Sequence, residues 1–419
     1  MNNTPSQKSI YIWNLLGNLA AAAVSVCFLI IVSRFQNPTI ADQYSLAISV
    51  GNLWVIIGLF QVRNFQATDI VNKFSFKNYF IARIISTILM WITLYPYLVF
   101  VHYDLSSSFV IGLTILILAY RTCDVWSDLY QGLFQQKSRL DIAGKSMFLR
   151  YLISVVILFV ALIIQKDLLV GFLLVVLFNI FFIVDFDIKF SRLFRSSDNK
   201  LTFSKNDLRQ GLSILKDCFS LFIYGFLINL IFNEPRIIIA QQLLSQKMQS
   251  GVQRDFNILF MPVFFMSLCI LVIRPLITSL AEKRQAGEMV QFYSIIKKIF
   301  VFLILVGFLT TLVSYLIGTP VLSLIFGVDL NRYRLELTIL VFSGILYSTA
   351  LVFENILTIY RKHNLLLIVY IIMYIVSLLL SKPLIISHGI LGACISFMLV
   401  MVIYVIGGFS LYLYVKRRI

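Results

Sequence analysis

Long apolar runs separated by short polar segments make up the chain, and each run has the length of a membrane-spanning helix. A helix rises about 1.5 Å per residue, so about 20 mostly apolar residues cross a hydrocarbon core about 30 Å thick. Twelve runs meet that length. They lie at approximately 11–33, 44–62, 80–101, 109–128, 147–165, 168–184, 218–244, 256–280, 298–318, 335–360, 365–386 and 390–414, with a break near Lys382–Pro383 in the eleventh.

The longest interruption is the basic, Ser-rich stretch 185–217, which predicts a cytoplasmic linker between the lobes 1–184 and 218–419. The two halves show weak internal similarity, since Asn18 and Asn229 are separated by the same offset as Arg63 and Arg274. That offset fits a parallel repeat in which the first and second spans correspond to the seventh and eighth. The predicted fold class is an all-α polytopic membrane protein, with about 12 transmembrane helices in two pseudo-symmetric six-helix lobes.

Composition supports the membrane assignment. Of the 419 residues, 60% are hydrophobic and 13% are charged, whereas a soluble domain carries roughly 45–50% apolar and about 25% charged residues. This excludes a disordered chain, a disulfide-stapled secreted domain and an ordinary cytosolic enzyme. The five cysteines form no CxxC pair, so the sequence supports neither a disulfide framework nor a zinc site. We expect no cofactor.

The net charge of +16 does not indicate nucleic acid, because the basic residues lie between apolar runs, as the positive-inside rule describes. Their distribution predicts that both termini are cytoplasmic. The predicted inner side holds Lys8, Arg63, Lys73, Lys77, Arg83, Lys137, Arg139, Lys145, Arg150, the segments 185–217 and 281–298, Arg361, Lys362 and the tail 416–418.

Several charged residues fall inside the apolar runs, where a charge costs at least about 2.5–3.5 kcal/mol and usually faces a cavity or a partner. They are Arg34 and Arg63 at the ends of spans one and two, Arg121, Asp124 and Asp128 in span four, Glu234 and Arg236 around Pro235 in span seven, Arg274 in span eight and Glu354 in span ten. Snorkelling to headgroups is the alternative for Arg63 and Arg274, and membrane anchoring for Arg34. Neutralisation of Arg121 is the preferred interpretation of Asp124 and Asp128.

Arginine recurs on the four spans that the proposed repeat makes equivalent. If spans one, two, seven and eight line a central cavity, that cavity is cationic and attracts an anion. The planar guanidinium suits phosphate through paired donors. We therefore predict an anionic, phosphate-bearing substrate bound by Arg34, Arg63, Arg236 and Arg274.

Three stretches resemble the Wzx-type repeat-unit flippases of bacterial polysaccharide export, which belong to the multidrug/oligosaccharidyl-lipid/polysaccharide exporter superfamily. They are IGLFQVRNFQATDIVNKFSFKNYFIAR at 57–83, DVWSDLYQGLFQQKSRLDIAGKSMFLR at 124–150, and NEPRIIIAQQLL with FNILFMPVFFMSLCILVIRPLITSLAEKR at 233–244 and 256–284. The residues that match family motifs are Arg63, Gln66, Thr68 and Asp69, then Asp128, Gly132, Gln135, Gln136, Arg139, Asp141 and Lys145, and finally Asn233, Pro235 and Arg236.

The resemblance implies a multi-pass protein of the bacterial cytoplasmic membrane that is not an enzyme. It would move an undecaprenyl-pyrophosphate-linked oligosaccharide, of an O-antigen or capsule, from the cytoplasmic to the outer leaflet by alternating access. Its partners would be this lipid and membrane lipids, with the polysaccharide polymerase and other export proteins as further candidates. Relatives often carry an acid where this chain has Ala240. The candidates for H⁺ or Na⁺ coupling are therefore Glu234, Glu354, Asp124 and Asp128.

Other functional classes stay open. A drug/cation antiporter of the same superfamily should have more acids than arginines in its cavity, the reverse of this balance. A membrane enzyme acting on a polyprenyl phosphate would need two Asp-rich motifs, and we find one. The triplet Asp185–Phe186–Asp187 imitates a glycosyltransferase DxD, but without a nucleotide-binding domain we interpret it as a solvated helix end. A non-transporting scaffold is the third alternative.

Overall fold

The computed structural model describes residues 6–69, 73–194, 204–267, 269–360 and 362–417, and their side chains except those of 264–275, 278 and 363. Helices account for nearly all of these residues, and no strand occurs among them. Ten of the described helical stretches are long and apolar enough to cross a membrane. The prediction of an all-α polytopic membrane protein is thereby confirmed.

The first half of the chain is a series of long helices with one short one. They are α1 Gln7–Phe35, α2 Pro38–Leu59, α3 Val62–Thr68, α4 Phe76–Phe100, α5 Ser108–Gln136, α6 Leu140–Ile164 and α7 Leu168–Phe182. A π-helical segment, Ile183–Ile188, continues α7. Short polar side chains cap the N-termini by accepting backbone N–H donors; they are Ser6, Asn37, Ser75, Ser107 and Asp167.

The second half of the chain is also a series of helices. They are α8 Lys205–Leu244, α9 Val252–Ser267, α10 Cys269–Gln285, α11 Met289–Val313, the π-helical segment Ser314–Gly318, α12 Thr319–Phe326, α13 Arg334–Ile359 and α14 Leu366–Arg417. The predicted span 256–280 thus corresponds to most of α9 and most of α10.

Two units of structure divide the chain, Met1–Phe226 and Leu227–Ile419. The division falls inside α8. The reason is that the first half of α8 packs on α4. Lys77 Nζ lies 2.6 Å from Asp207 Oδ2, and a Cβ on Gly211 would meet Ile81 Cγ2 at 2.8 Å. The described parts of the predicted linker 185–217 are helical, and the division into lobes 1–184 and 218–419 stays a prediction.

The predicted eleventh and twelfth spans are the two arms of α14, and they meet at Gly389, in the predicted gap between 386 and 390. The break expected near Lys382–Pro383 within the eleventh span does not occur, because the helix continues through Pro383. Gly389 has φ 59° and ψ −133°, a conformation that only glycine adopts without strain. The backbone then turns so sharply that a Cβ on Gly392 would overlap the Leu384 carbonyl oxygen. Glycine at both positions therefore makes the tight connection between the arms.

We expect Gly389→Ala to lower the free energy of unfolding by about 1–3 kcal/mol, the usual cost of a strained backbone conformation. A Cβ at this position would meet no neighbouring atom, so the effect would come from the backbone alone. The midpoint of thermal unfolding of the purified protein in detergent measures it. Gly112→Ala is the matched control, because its Cβ would make only ordinary contacts with Leu169. An unchanged midpoint for Gly389→Ala would contradict this role.

Candidate functional site

The candidate site lies at a break in the second predicted span. We expected one span over 44–62, but α2 ends at Leu59, and Phe60 and Gln61 have positive φ angles of 44° and 58° before α3 begins. Two consecutive non-glycine residues in the left-handed region are uncommon, and such strain concentrates at functional sites. The break also leaves the last carbonyl groups of α2 without helical partners.

Arg83 of α4 supplies those missing partners. Its Nη1 donates to the carbonyl oxygens of Gly58 at 2.8 Å and Leu59 at 3.0 Å. A cation also complements the negative end of the α2 dipole. The side chain is fully buried, because Arg83 lies two turns inside α4 on the face that meets α2. The placement of Arg83 on the inner side of the membrane stays a prediction.

The second terminal nitrogen of the Arg83 guanidinium pairs with Asp128, and the same carboxylate also pairs with Arg63. Arg83 Nη2 lies 2.7 Å from Asp128 Oδ2, and Arg63 Nη1 lies 3.5 Å from Asp128 Oδ1. Arg63 Nη1 also donates to Gln131 Oε1 at 2.7 Å, and its Nε donates to Gln135 Oε1 at 3.3 Å. We call these five residues the Arg63 cluster.

The Arg63 cluster contains two guanidinium groups and one carboxylate, so it has an excess positive charge. Arg63 carries the accessible part of that charge, because 23% of its side chain is exposed while Arg83 is fully buried. Its binding partners on α5 are one carboxylate and two neutral amides. An anion that approaches the cluster therefore meets an incompletely neutralised arginine.

A second cluster, centred on Asp124 of α5, also has two arginines for one carboxylate. Asp124 pairs through Oδ2 with Arg121 Nη1 and through Oδ1 with Arg150 Nη1, both at 2.8 Å. The Tyr151 hydroxyl donates to Asp124 Oδ1 at 3.1 Å, and Arg121 also donates to Asn52. The structure thus places Asp124 against Arg121, whereas Asp128 pairs elsewhere. Arg150 is fully buried, and its placement on the inner side of the membrane stays a prediction.

Asp187 is a buried acid, whereas the DxD triplet alone predicted a solvated position for it. Its Oδ2 accepts from Ser127 Oγ at 2.7 Å and its Oδ1 from Ser146 Oγ at 2.6 Å. Only Asp185 of the two aspartates is exposed, and it lies 4.0 Å from Lys189. Two residues along a helix point to different faces, so the spacing of the triplet is the signal that could have separated the two aspartates.

Arg236, in the second unit, is held inside its lobe. Its Nε donates to Asn257 Oδ1 at 2.6 Å, and its Nη1 donates to the Phe232 carbonyl oxygen at 2.5 Å. The guanidinium also lies 4.3 Å from the centroid of the Phe260 ring. The neighbouring Glu234 makes no ion pair or hydrogen bond with the described residues, and α8 remains helical through Pro235. Arg236 and Glu234 are therefore not partners.

Glu354, the other predicted coupling acid of this unit, is bound by two tyrosines. The hydroxyl groups of Tyr370 and Tyr404 donate to its Oε2 at 2.9 and 2.8 Å and lie 2.7 Å from each other. No ion pair with Glu354 occurs in the described part of the chain. Neutral hydroxyl donors thus surround a carboxylate on α13.

Of the two remaining predicted arginines, Arg34 and Arg274, only Arg34 has a described side chain. Arg34 lies in the last turn of α1 and is exposed. Arg274 belongs to α10, but its side chain lies outside the described residues. The structure thus brings Arg63 together with Asp128, and Arg121 with Asp124, and places Arg34 and Arg236 in different surroundings.

Asp69, one of the motif residues of the first block, shapes the chain after α3. Its carboxylate accepts from the backbone N–H groups of Lys73 and Phe74 at 2.8 and 3.0 Å, and from the Tyr79 hydroxyl at 2.8 Å. Partial burial acts to raise the pKa of this carboxyl, but the hydrogen bonds outweigh it and the pKa is lowered. Asp69 is thus a structural residue of the motif.

Comparison with known proteins relates the chain to membrane transporters. No family model and no curated protein sequence matches it. The Vibrio cholerae MATE transporter VcmN, solved as a point mutant, is 14% identical with a TM-score of 0.60 over 98% of this chain and 96% of that one. An inward-facing multidrug resistance MATE transporter of the MOP superfamily is 11% identical with a TM-score of 0.67, over 97% and 94% of the two chains.

The chain has the MATE fold. A further neighbour is a MOP superfamily transporter from Pyrococcus furiosus, 14% identical over 98% of this chain and 95% of that one, with a TM-score of 0.50. At these identities the likeness shows the fold alone. Within the MATE fold, both arginine clusters belong to the first unit.

We expect Asp128→Asn to lower the free energy of unfolding by roughly 3–5 kcal/mol, because it leaves Arg83 buried without its counter-charge. Detergent-solubilised protein unfolded by heat or denaturant gives the measurement. Asp185→Asn removes the same charge from an exposed site and should change stability little. Equal stability of the two variants would contradict the pairing.

The lowered pKa of Asp69 makes the turn after α3 sensitive to acid. Its stabilising contribution is present above the pKa of the unfolded chain, about 3.9, and is lost as the pH falls through the lower pKa of the folded state. Wild type should therefore be more stable than Asp69→Asn at neutral pH, and this difference should shrink in acid. Thermal unfolding of both proteins across a pH series measures it, and a difference independent of pH would refute the assignment.

Proposed function

We propose that the protein is a flippase for an anionic, lipid-linked oligosaccharide. Its cargo would be an oligosaccharide repeat unit on undecaprenyl pyrophosphate, carried from the cytoplasmic to the outer leaflet of the bacterial inner membrane for O-antigen or capsule assembly. The MATE fold supports a transporter. The chemistry of the arginine clusters supports an anion as the transported group.

The excess positive charge of the Arg63 cluster is the observation that carries the proposal. A buried carboxylate usually neutralises one arginine, but Asp128 serves both Arg63 and Arg83. A diphosphate offers several oxygen acceptors to a planar guanidinium, and such charge-assisted hydrogen bonds are about twice as strong as neutral ones. Arg63 would bind the diphosphate through its exposed edge while the amides of Gln131 and Gln135 hold it in position.

Such a cargo needs a protein to cross the membrane. Moving a charged diphosphate and several sugars through hydrocarbon without compensating hydrogen bonds is prohibitively costly. Arginine side chains replace the lost hydration of the phosphates. We retain Arg34, Arg236 and Arg274 as further proposed contacts, and Asp124, Asp128, Glu234 and Glu354 as proposed sites of H⁺ or Na⁺ coupling.

A drug/cation antiporter is the second candidate, and Glu354 is the observation that favours it. A carboxylate held by the hydroxyl groups of Tyr370 and Tyr404, with no cationic partner among the described residues, can accept a proton or a small cation. Two structural neighbours are multidrug resistance transporters by description. However, the Pyrococcus furiosus neighbour is described as having a binding pocket of reversed polarity that suggests a different function. The fold therefore does not determine whether the cargo is an anion or a cation. The excess of arginine over aspartate in the Arg63 cluster favours an anion.

Complementation of a flippase-deficient bacterium tests the proposal. We expect Arg63→Gln to reduce surface polysaccharide by about tenfold or more, the factor that corresponds to losing about 1.4 kcal/mol of binding, with lipid-linked repeat units accumulating in the inner leaflet. The amount of protein in the membrane should stay normal, because Gln can still hydrogen-bond to α5. Lys189→Gln, a change at a side chain that is 72% exposed, is the control. Wild-type surface polysaccharide in Arg63→Gln would overturn the proposal.

A further inference from the structure

Asp187 is connected to Arg63 by a continuous chain of hydrogen bonds. Arg63 Nη1 donates to Gln131 Oε1 at 2.7 Å, Gln131 Nε2 donates to Ser127 Oγ at 3.0 Å, and Ser127 Oγ donates to Asp187 Oδ2 at 2.7 Å. Each donor points towards the carboxylate. The chain thus links the accessible arginine of the candidate site to a fully buried acid on another helix.

We propose that Asp187 is a proton-binding site whose protonation releases Arg63 for an anion. The inference rests on the proposed function only for the identity of that anion. It assigns a role to an acid that neither the fold nor the family motifs identify, and it makes Gln131 and Ser127 positioning residues for Arg63.

The direction of the hydrogen bonds gives the mechanism. An ionised Asp187 has no proton and accepts from Ser127, which leaves the Ser127 lone pairs for Gln131 and the Gln131 carbonyl for Arg63. A proton taken from solvent onto Asp187 Oδ2 turns that oxygen into a donor to Ser127 Oγ. Ser127 then donates towards Gln131, and the amide reverses and presents its NH₂ group to Arg63. The Gln131 NH₂ group and the Arg63 Nη1 group are both donors and now face each other. Arg63 thereby loses the Gln131 oxygen as a partner.

Burial favours this reversal, because a misdirected donor among these groups would stay without a partner. Ser127 and Asp187 are fully buried and Gln131 is 3% exposed, so water does not reach them to satisfy a misdirected donor. Buried polar groups that lose a partner carry the full cost of their desolvation. A change at one end of the chain is therefore passed to Arg63, whose side chain reaches solvent.

The surroundings of Asp187 are suited to a proton site. The hydroxyl groups of Ser127 on α5 and Ser146 on α6 are its direct partners, and Arg150 of α6 is the charged group that acts on it. Cys123 and Tyr130 of α5 are the titratable side chains of the core cluster that Ile183 of the same segment joins. On its own segment Asp185 is exposed and faces Lys189. Asp187 further lies in the π-helical segment Ile183–Ile188, a geometry that is frequent at functional sites.

Proton and anion would thus bind together. The released arginine gains affinity for an anion, and by reciprocity an anion on Arg63 raises the affinity of Asp187 for a proton. A transporter that exchanges protons for cations requires competition between the two. The sign of the linkage therefore separates the two functional candidates as well.

Chemical modification of Arg63 tests the hydrogen-bond chain without any cargo. The full-length protein in detergent is treated with phenylglyoxal at one pH, and the rate at Arg63 is measured by mass spectrometry. We expect Asp187→Asn, which imitates the protonated acid, to raise this rate by about tenfold, as for a loss of about 1.4 kcal/mol. Asp185→Asn, the same change two residues away, should leave it unchanged. In a Ser127→Ala background Asp187→Asn should have no further effect.

Binding of inorganic pyrophosphate supplies the second measurement. Calorimetry in two buffers of different ionisation enthalpy should show that wild type takes up a proton with the anion and that Asp187→Asn does not. Unchanged Arg63 reactivity, as expected if Ser127 turns to a carbonyl of its own helix instead, or binding without proton uptake, would overturn the inference and leave the proposed function standing. A tenfold rise in reactivity without pyrophosphate binding would support the chain and contradict the proposed function. If Asp187→Asn does not fold, proton uptake by wild type decides.

Discussion

Unequal pairing of buried arginines and aspartates is the constraint on which the first unit depends. An arginine inside an apolar helical lobe must be paired and hydrogen-bonded, because an uncompensated charge there costs several kcal/mol. In two clusters of the first unit, two arginines nevertheless share a single aspartate of α5. Arg63 and Arg83 share Asp128, and Arg121 and Arg150 share Asp124. Each carboxylate on α5 is shared, and tyrosine, serine and amide groups complete the pairing.

Two arginines that share one carboxylate are held in a fixed geometry. They also keep an excess positive charge that a ligand can bind. Arg83 holds the broken end of α2 while it pairs with Asp128, so the helix break and the ion pair stabilise each other. Arg63, the second partner of Asp128, lies on the short helix that follows the break. The same interactions that make the lobe stable therefore present one accessible guanidinium. This is why we assign the anion-binding role to Arg63 before any other arginine.

The sequence predicted the helices well because a helix needs about 20 mostly apolar residues to cross a membrane. It also identified the residues of α5 that carry charge, and the pairing of Arg121 with Asp124. It did not identify Arg83, Arg150 or Asp187 as buried, because hydropathy alone does not show which neighbouring helix covers a charge near the end of an apolar run. Tertiary packing buries all three. Only for Asp187 did the sequence hold a signal, its spacing from Asp185. The break at Phe60–Gln61 was missed for a related reason, since an apolar run continues through it.

The retention of polyprenyl lipids by the purified protein tests the central claim most directly. Native mass spectrometry in detergent can compare undecaprenyl pyrophosphate with undecaprenyl phosphate and the uncharged alcohol, which share one apolar chain. If the excess arginine charge binds a diphosphate, the pyrophosphate should be retained most strongly and the alcohol least. Equal retention of all three, or displacement of the pyrophosphate by an organic cation, would contradict the account.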